Sequence, residues 1–132
     1  MVEKKELIEK AKKCVYSNDF HQAHEYNLEA CKLFPDDAEC HYWLAELYRA
    51  WARESPLLAP TLSKNSLKEY KKVWDLDMLR GLNFKDEIIE VLVNIAASED
   101  DDNVILILEQ ISQNNYSGNS IQTVKMLMEK YC

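Results

Sequence analysis

Residues that make tight turns are scarce in this chain of 132 residues, which has only two glycines and three prolines. A β-sandwich or β-barrel needs many turns, and two glycines cannot supply them. A Gly-rich phosphate loop is also missing, which excludes a Rossmann unit or a P-loop. The length fits one domain, and a hydrophobic content of 47% is typical of a globular protein. The sequence therefore predicts a single all-α domain over residues 1–132.

Basic residues are also in short supply, with 16 Lys and Arg against 23 Asp and Glu and a net charge of −7. Nucleic acids and anionic membranes require a basic surface, so neither is an expected partner. No apolar run is long enough to span a bilayer, and the charged residues 1–13 contain no signal-peptide core. We therefore expect a cytoplasmic protein without membrane insertion. The four cysteines form no CxxC pair, which favours free thiols in a reducing compartment.

Hydrophobic periodicity predicts seven helices separated by mostly short connections. Polar turn residues at 17–19 and Pro35 mark the first two breaks. The stretch 104–108 is rich in β-forming residues, but it is assigned to a helix because the chain offers no partner strand. The predicted helices cover 3–17, 20–33, 37–53, 66–76, 84–97, 103–113 and 119–131, with a long connection over 54–65.

The first half of the chain contains an internal repeat. A shift of 34 residues places Ala11 on Ala45 and Cys14 on Tyr48. In both copies a small residue lies three positions before a larger one, which lets two helices approach closely at the small residue. The second helices of the two copies align only after a further shift of nine residues.

At these positions the chain resembles the tetratricopeptide repeat (TPR) family. The first copy, 4–37, carries the small residue, the turn, the close-packing alanines and the terminal proline of that family. The second copy, 38–78, has a Leu-Ala-x-x-Tyr stretch that is similar to the family's Leu-Gly-x-x-Tyr signature. Asn27 stands where the family has an aromatic residue, and Met78 replaces the terminal proline. The residues that carry the resemblance are Ala11, Asn18, Asp19, Phe20, Ala23, Ala30 and Pro35 in the first copy and Leu44, Ala45 and Tyr48 in the second.

The resemblance implies a right-handed superhelix of antiparallel helix hairpins, a short solenoid. Residues 84–114 would form a degenerate third helix pair, and 119–131 would cap the array. The first helix of each hairpin would line a concave groove. The exposed groove positions implied by the resemblance are Lys5, Ile8, Lys12, Val15 and Tyr16 in the first copy and Glu39, Tyr42, Trp43, Glu46 and Arg49 in the second.

This groove combines aromatic and charged residues, which are the usual anchors of protein recognition. We therefore expect a non-enzymatic adaptor or scaffold, similar to a co-chaperone, that binds a peptide or helix of another protein. The family's carboxylate clamp is not reproduced, because only Lys12 among its matching positions is cationic. The alternative is a small acidic neutraliser, such as an immunity protein or a secretion chaperone for a basic partner, suggested by the acidic run 99–102. Weak self-association through either end of the array is also compatible with the sequence.

Catalytic and metal-binding patterns are weak throughout the sequence. His21 and His24 have a spacing that can present two imidazoles to one metal ion, but a third ligand is not evident. Cys40 and His41 are adjacent, and adjacent residues on a helix do not face each other. We therefore expect no catalytic residues, no metal and no cofactor.

Overall fold

A computed structural model of the chain describes residues 3–113 and 118–132, and within these ranges it is all-helical, with eight α-helices and no strand. The prediction of an all-α protein is thus confirmed. The helices are α1 (Lys4–Tyr16), α2 (Phe20–Leu33), α3 (Ala38–Glu54), α4 (Ala59–Leu76), α5 (Met78–Asn83), α6 (Lys85–Ser98), α7 (Asp102–Gln113) and α8 (Gly118–Tyr131).

The turn between α1 and α2 follows directly from its polar residues. Asn18 has a φ of 60°, in the left-handed region that asparagine tolerates better than most residues. Asp19 then caps α2, because its side chain accepts a hydrogen bond from the backbone N–H of Gln22 at 3.3 Å. The predicted bounds of this helix, 20–33, are confirmed. Pro35 follows the helix and keeps it from continuing.

The long connection predicted over 54–65 is wrong, because α4 already begins at Ala59. Pro60 lies in the first turn of the helix, where its missing N–H costs no helical hydrogen bond. Leu62 is buried in a cluster with Phe20 and Leu47, so this first turn is held by the core. The true connection covers only residues 55–58, and Leu57 within it is 97% exposed.

The six-residue helix α5 is absent from the predicted set of seven. Its N-cap is Asp77, whose side chain accepts a hydrogen bond from the backbone N–H of Arg80 at 3.2 Å. Gly81 lets this helix lie directly on α4, since a Cβ at that position would come within 2.9 Å of the Trp74 Cα. The count of seven helices is therefore corrected to eight for the described part of the chain.

The second half of the chain forms a helix pair followed by a last helix. The stretch 104–108 is helical, within α7, so the choice of helix over strand is confirmed. α6 and α7 lie next to each other in the region predicted as a third pair, whose last residue, 114, lies outside the described residues. Asp101, between these helices, accepts hydrogen bonds from the Lys130 ammonium at 2.9 Å and the Tyr131 hydroxyl at 2.7 Å. These bonds tie the end of α8 to the α6–α7 turn.

Three hydrophobic clusters hold the helices together, and most helices pack on their neighbours in the chain. α1 packs on α2, α2 on α3, and α3 on α4, while α6 contacts α4 and α7, and α8 contacts α4 and α6. The largest cluster joins α3 and α4 to the helices that follow, and two smaller clusters lie among α1 to α4. Over the ranges given above, none of the helices combines the length and the hydropathy that a bilayer crossing would need.

Candidate functional site

A cleft of about 240 Å³ lies between α1 and α3, with one residue of α2 also in its lining. Each long wall is formed by one helix, α1 or α3, and each of these is the first helix of a predicted hairpin. Seven of the ten predicted groove residues, contributed by these two helices, line the cleft. The full lining consists of Ile8, Ala11, Lys12, Val15 and Tyr16 from α1, Asn27 from α2, and Trp43, Glu46, Leu47, Arg49 and Ala50 from α3.

Four of the predicted groove residues are not exposed in the cleft, since Lys5, Glu39 and Tyr42 do not line it and Ile8 is buried. Ile8 lines the cleft but is only 2% exposed, because it packs in the cluster that joins α1 to α2 and α3. Glu39 lies outside the cleft, with its carboxylate 3.5 Å from the Lys4 ammonium. Tyr42 also lies outside it and stacks on Phe84 with a centroid distance of 4.0 Å. Burial raises the pKa of Tyr42 to about 12, and this residue packs with Phe84 against the largest hydrophobic cluster.

The mouth of the cleft is aromatic. The Lys12 ammonium of α1 lies 4.0 Å from the centroid of the Trp43 ring of α3, a cation–π contact that joins the two walls. The same ammonium lies 3.3 Å from the Glu9 carboxylate. Tyr16, at the end of α1, is 89% exposed although it is a large aromatic residue. The cleft thus presents uncovered aromatic surface of the kind that protein partners bury.

A network of charged groups closes the α3 side of the cleft. The Arg49 guanidinium donates from Nη2 to Glu46 at 2.7 Å and from Nη1 to Glu90 at 2.6 Å. Glu46 also accepts a hydrogen bond from the Tyr70 hydroxyl. Burial and the neighbouring Glu46 charge raise the pKa of Tyr70, so its hydroxyl acts as a donor. The single positive charge of Arg49 is therefore shared by two carboxylates.

Asn27 is the polar residue of the cleft lining that the sequence did not place in the groove. It is 2% exposed, and its Oδ1 has no hydrogen-bond partner among the described residues. Nε of Arg49 is buried and unpartnered within the same ranges. Buried polar atoms are nearly always paired, so two such atoms on residues that line one cleft call for an explanation. The available signal was a polar residue in the apolar face of α2, where the repeat pattern has an aromatic residue.

The histidines and cysteines that could have formed reactive sites are engaged in packing or hydrogen bonds. The His24 ring nitrogen Nε2 lies 2.8 Å from the Tyr48 hydroxyl, and burial lowers the pKa of this histidine. His21 packs edge-on against Trp51. Burial raises the pKa of Cys40 to about 11, which disfavours the thiolate. In the part of the chain that the structure describes, no three His, Cys, Asp or Glu residues are grouped so that they could hold a metal ion.

A second, wider groove of about 570 Å³ runs between α2 and α4. Its lining includes His41 and Glu69, both buried, with 2.7 Å between the imidazole Nδ1 and the carboxylate. The other ring nitrogen, Nε2, donates to the Pro35 carbonyl at 2.6 Å. His41 therefore joins α3 to α4 and to the loop after α2, which gives this histidine a structural role.

No family model matches the sequence, and comparisons with curated proteins and with solved structures found no match either.

Proposed function

We propose that this chain is a TPR-like helical repeat domain without enzymatic activity that binds a peptide segment of another protein in the cleft between α1 and α3. In this proposal the two helices are the first members of successive hairpins, and the cleft is part of the concave groove of a short superhelix. We also propose a cytoplasmic location, because free thiols are typical of proteins in a reducing compartment.

The proposal is supported mainly by the composition of the cleft. Residues of α1 and α3 together form this cleft. Apolar walls, an exposed Tyr16 and a Trp43 ring covered by Lys12 lie around one depression. Aromatic and Arg side chains at the centre of a depression are the features that give protein interfaces most of their binding energy. The same residues offer no arrangement of nucleophile, base and orienting group, so binding is the function that this chemistry supports.

The alternative of an acidic neutraliser loses support from the contacts of the acidic run. Asp101 is engaged by Lys130 and Tyr131, and Glu99 lies 2.8 Å from the Lys64 ammonium. Two of the four carboxylates of the run 99–102 are thus paired with groups of the same chain. We therefore advance no second function.

Selection of random displayed peptides on the immobilised protein tests the proposal. A cleft variant, Lys12→Ser with Tyr16→Ser, removes the cation over Trp43 and the exposed ring at the mouth. We expect selected peptides to bind this variant at least about tenfold more weakly, a loss of about 1.4 kcal/mol. Melting curves by circular dichroism should stay close to those of the unmodified chain, because Tyr16 is exposed and Lys12 is only half-buried.

The matched control is Leu57→Ser, which removes a large and almost fully exposed side chain that does not line the cleft. Peptide affinity should be unchanged in this variant. The proposal fails if the selected peptides bind the cleft variant as tightly as the unmodified chain, or if selection yields no binding peptides.

A further inference from the structure

The size of the cleft limits what can enter it. Its volume of about 240 Å³ is below the range of about 300–1,000 Å³ that is usual for drug-sized ligands and cofactors. It exceeds the cavity of about 150 Å³ that holds a benzene molecule. The cleft therefore has room for one apolar side chain and a small polar group beside it.

The charges around the cleft favour an occupant with no net charge. Arg49 already faces the carboxylates of Glu46 and Glu90. Lys12 is shared between Glu9 and the Trp43 ring. Each charged residue of the lining already faces an opposite charge, so an entering carboxylate or ammonium would find no unpaired counter-charge there.

The two unpartnered polar atoms specify the hydrogen bonding of the occupant. Oδ1 of Asn27 can only accept a hydrogen bond, and Nε–H of Arg49 can only donate one. A carboxylate brings no donor, and an ammonium brings no acceptor. A neutral amide brings one N–H and one carbonyl, and a polypeptide carries such a group at every residue.

We propose that the cleft recognises a main-chain amide of a partner segment together with one adjacent apolar side chain. The amide N–H donates to Oδ1 of Asn27, the amide carbonyl accepts from Nε of Arg49, and the side chain packs against the apolar wall. Both polar atoms are covered in the free chain, so rotation of these side chains is part of the binding step. This inference rests on the proposed function and identifies the chemical group that is bound.

Three small probes with the same isobutyl side chain separate the chemistries. N-acetyl-leucinamide is neutral with two amides, 4-methylpentanoate carries a carboxylate and no amide, and 3-methylbutylamine carries an ammonium and no amide. Each is titrated in the millimolar range into the ¹⁵N-labelled full chain, while the Nε–H resonance of Arg49 and the side-chain amide of Asn27 are followed by NMR. We expect the neutral probe to shift both resonances and to bind about tenfold more tightly than either charged probe.

A variant and a control sharpen the result. Asn27→Leu keeps a similar volume and removes the acceptor, so it should abolish the preference for the neutral probe while leaving apolar contact with the wall. The control, Leu28→Ser, alters the neighbouring groove between α2 and α4 and should leave the preference intact. The titration of the unmodified chain decides the matter even if Asn27→Leu does not fold.

The inference is overturned if 4-methylpentanoate binds most tightly, if all three probes bind equally, or if none shifts the two resonances. The last result would show that the two atoms are satisfied in another way, for example by a water molecule that the probes do not displace. Displayed peptides that bind the cleft through a terminal carboxylate would leave the proposed function standing and refute this inference alone.

Discussion

At the scale of single residues, Glu90 shows how an ion-pair network makes the stability of this fold depend on pH. Its carboxylate accepts hydrogen bonds from Arg49 and Arg53. Burial alone would raise the pKa of Glu90, but the hydrogen bonds from Arg53 and Arg49 outweigh it and lower the pKa below 4.5. The folded state therefore binds the proton more weakly than the unfolded state. The resulting stabilisation is present above pH 4.5 and is lost as the pH falls through the lowered pKa.

We predict that Glu90→Gln flattens the dependence of the unfolding free energy on pH below 4.5. Urea denaturation at several pH values from neutral to strongly acidic measures this slope. Glu109→Gln, which changes an exposed carboxylate on α7, is the control and should keep the slope of the unmodified chain. An unchanged slope in Glu90→Gln would contradict the prediction.

The residues of the cleft show which parts of a site a sequence can reveal. Lys12, Tyr16, Trp43 and Arg49 were assigned to one side of their helices and all line the cleft, because helical spacing fixes the face on which a residue lies. Their role in binding stays a prediction. Asn27 could not be assigned in this way, because its importance depends on how deeply α2 is covered by α1 and α3. Tyr42 was misplaced for the same reason, since its stacking on Phe84 depends on contacts between distant segments.

At the scale of single elements, α5 depends on one small residue. Gly81 lies against the backbone of Trp74, where a Cβ would come within 2.9 Å of the Cα. Backbone atoms cannot rotate aside as the end of a side chain can. A larger residue must therefore push α5 away from α4.

We predict that Gly81→Ala destabilises the protein, although alanine is the better helix former by about 1 kcal/mol. The displacement of α5 costs about 1–3 kcal/mol, which exceeds the gain in helix propensity. Urea denaturation measures the net change. Asn83→Ala, at an exposed position of the same helix, should be neutral or slightly stabilising. If the two variants behave alike, close packing at Gly81 is not the reason for the glycine.

Helix boundaries were predictable where local signals agreed with the tertiary structure. The bounds of α2 followed from the Asp19 cap and from Pro35 after its end. The start of α4 was not predictable in the same way, because Pro60 is equally compatible with a loop and with a first helical turn. The burial of Leu62 decides between these possibilities, and it depends on residues distant in the sequence. The helix α5 was missed because six residues carry too little periodicity to detect.

At the scale of the whole molecule, the packing is uneven along the chain. α4 contacts α3, α5, α6 and α8, whereas α1 packs chiefly on α2 with a smaller contact to α3. The cluster that contains Leu7 and Ile8 of α1 is also the smallest of the three in the described part of the chain. The first hairpin should therefore open more readily than the centre of the fold.

We predict that amides of α1 exchange with solvent through local opening, and that amides of α4 and α6 exchange only on global unfolding. Native-state hydrogen exchange at low denaturant measures both. Leu7→Ala should accelerate exchange mainly in α1 and α2. Leu92→Ala, in the largest cluster, should accelerate it everywhere, with a cost of about 2–5 kcal/mol. Equal effects of the two substitutions on α4 would show that the molecule opens as one unit.

The contact between Lys12 and Trp43 has a practical consequence. The indole of Trp43 lies in the wall of the cleft under the Lys12 ammonium group, while Trp74 is buried beside α5 and Trp51 packs on Phe20. With Trp51 and Trp74 replaced by phenylalanine, all indole fluorescence would come from Trp43. A change in the fluorescence of Trp43 would then show that a ligand has entered the cleft, and no attached dye would be needed.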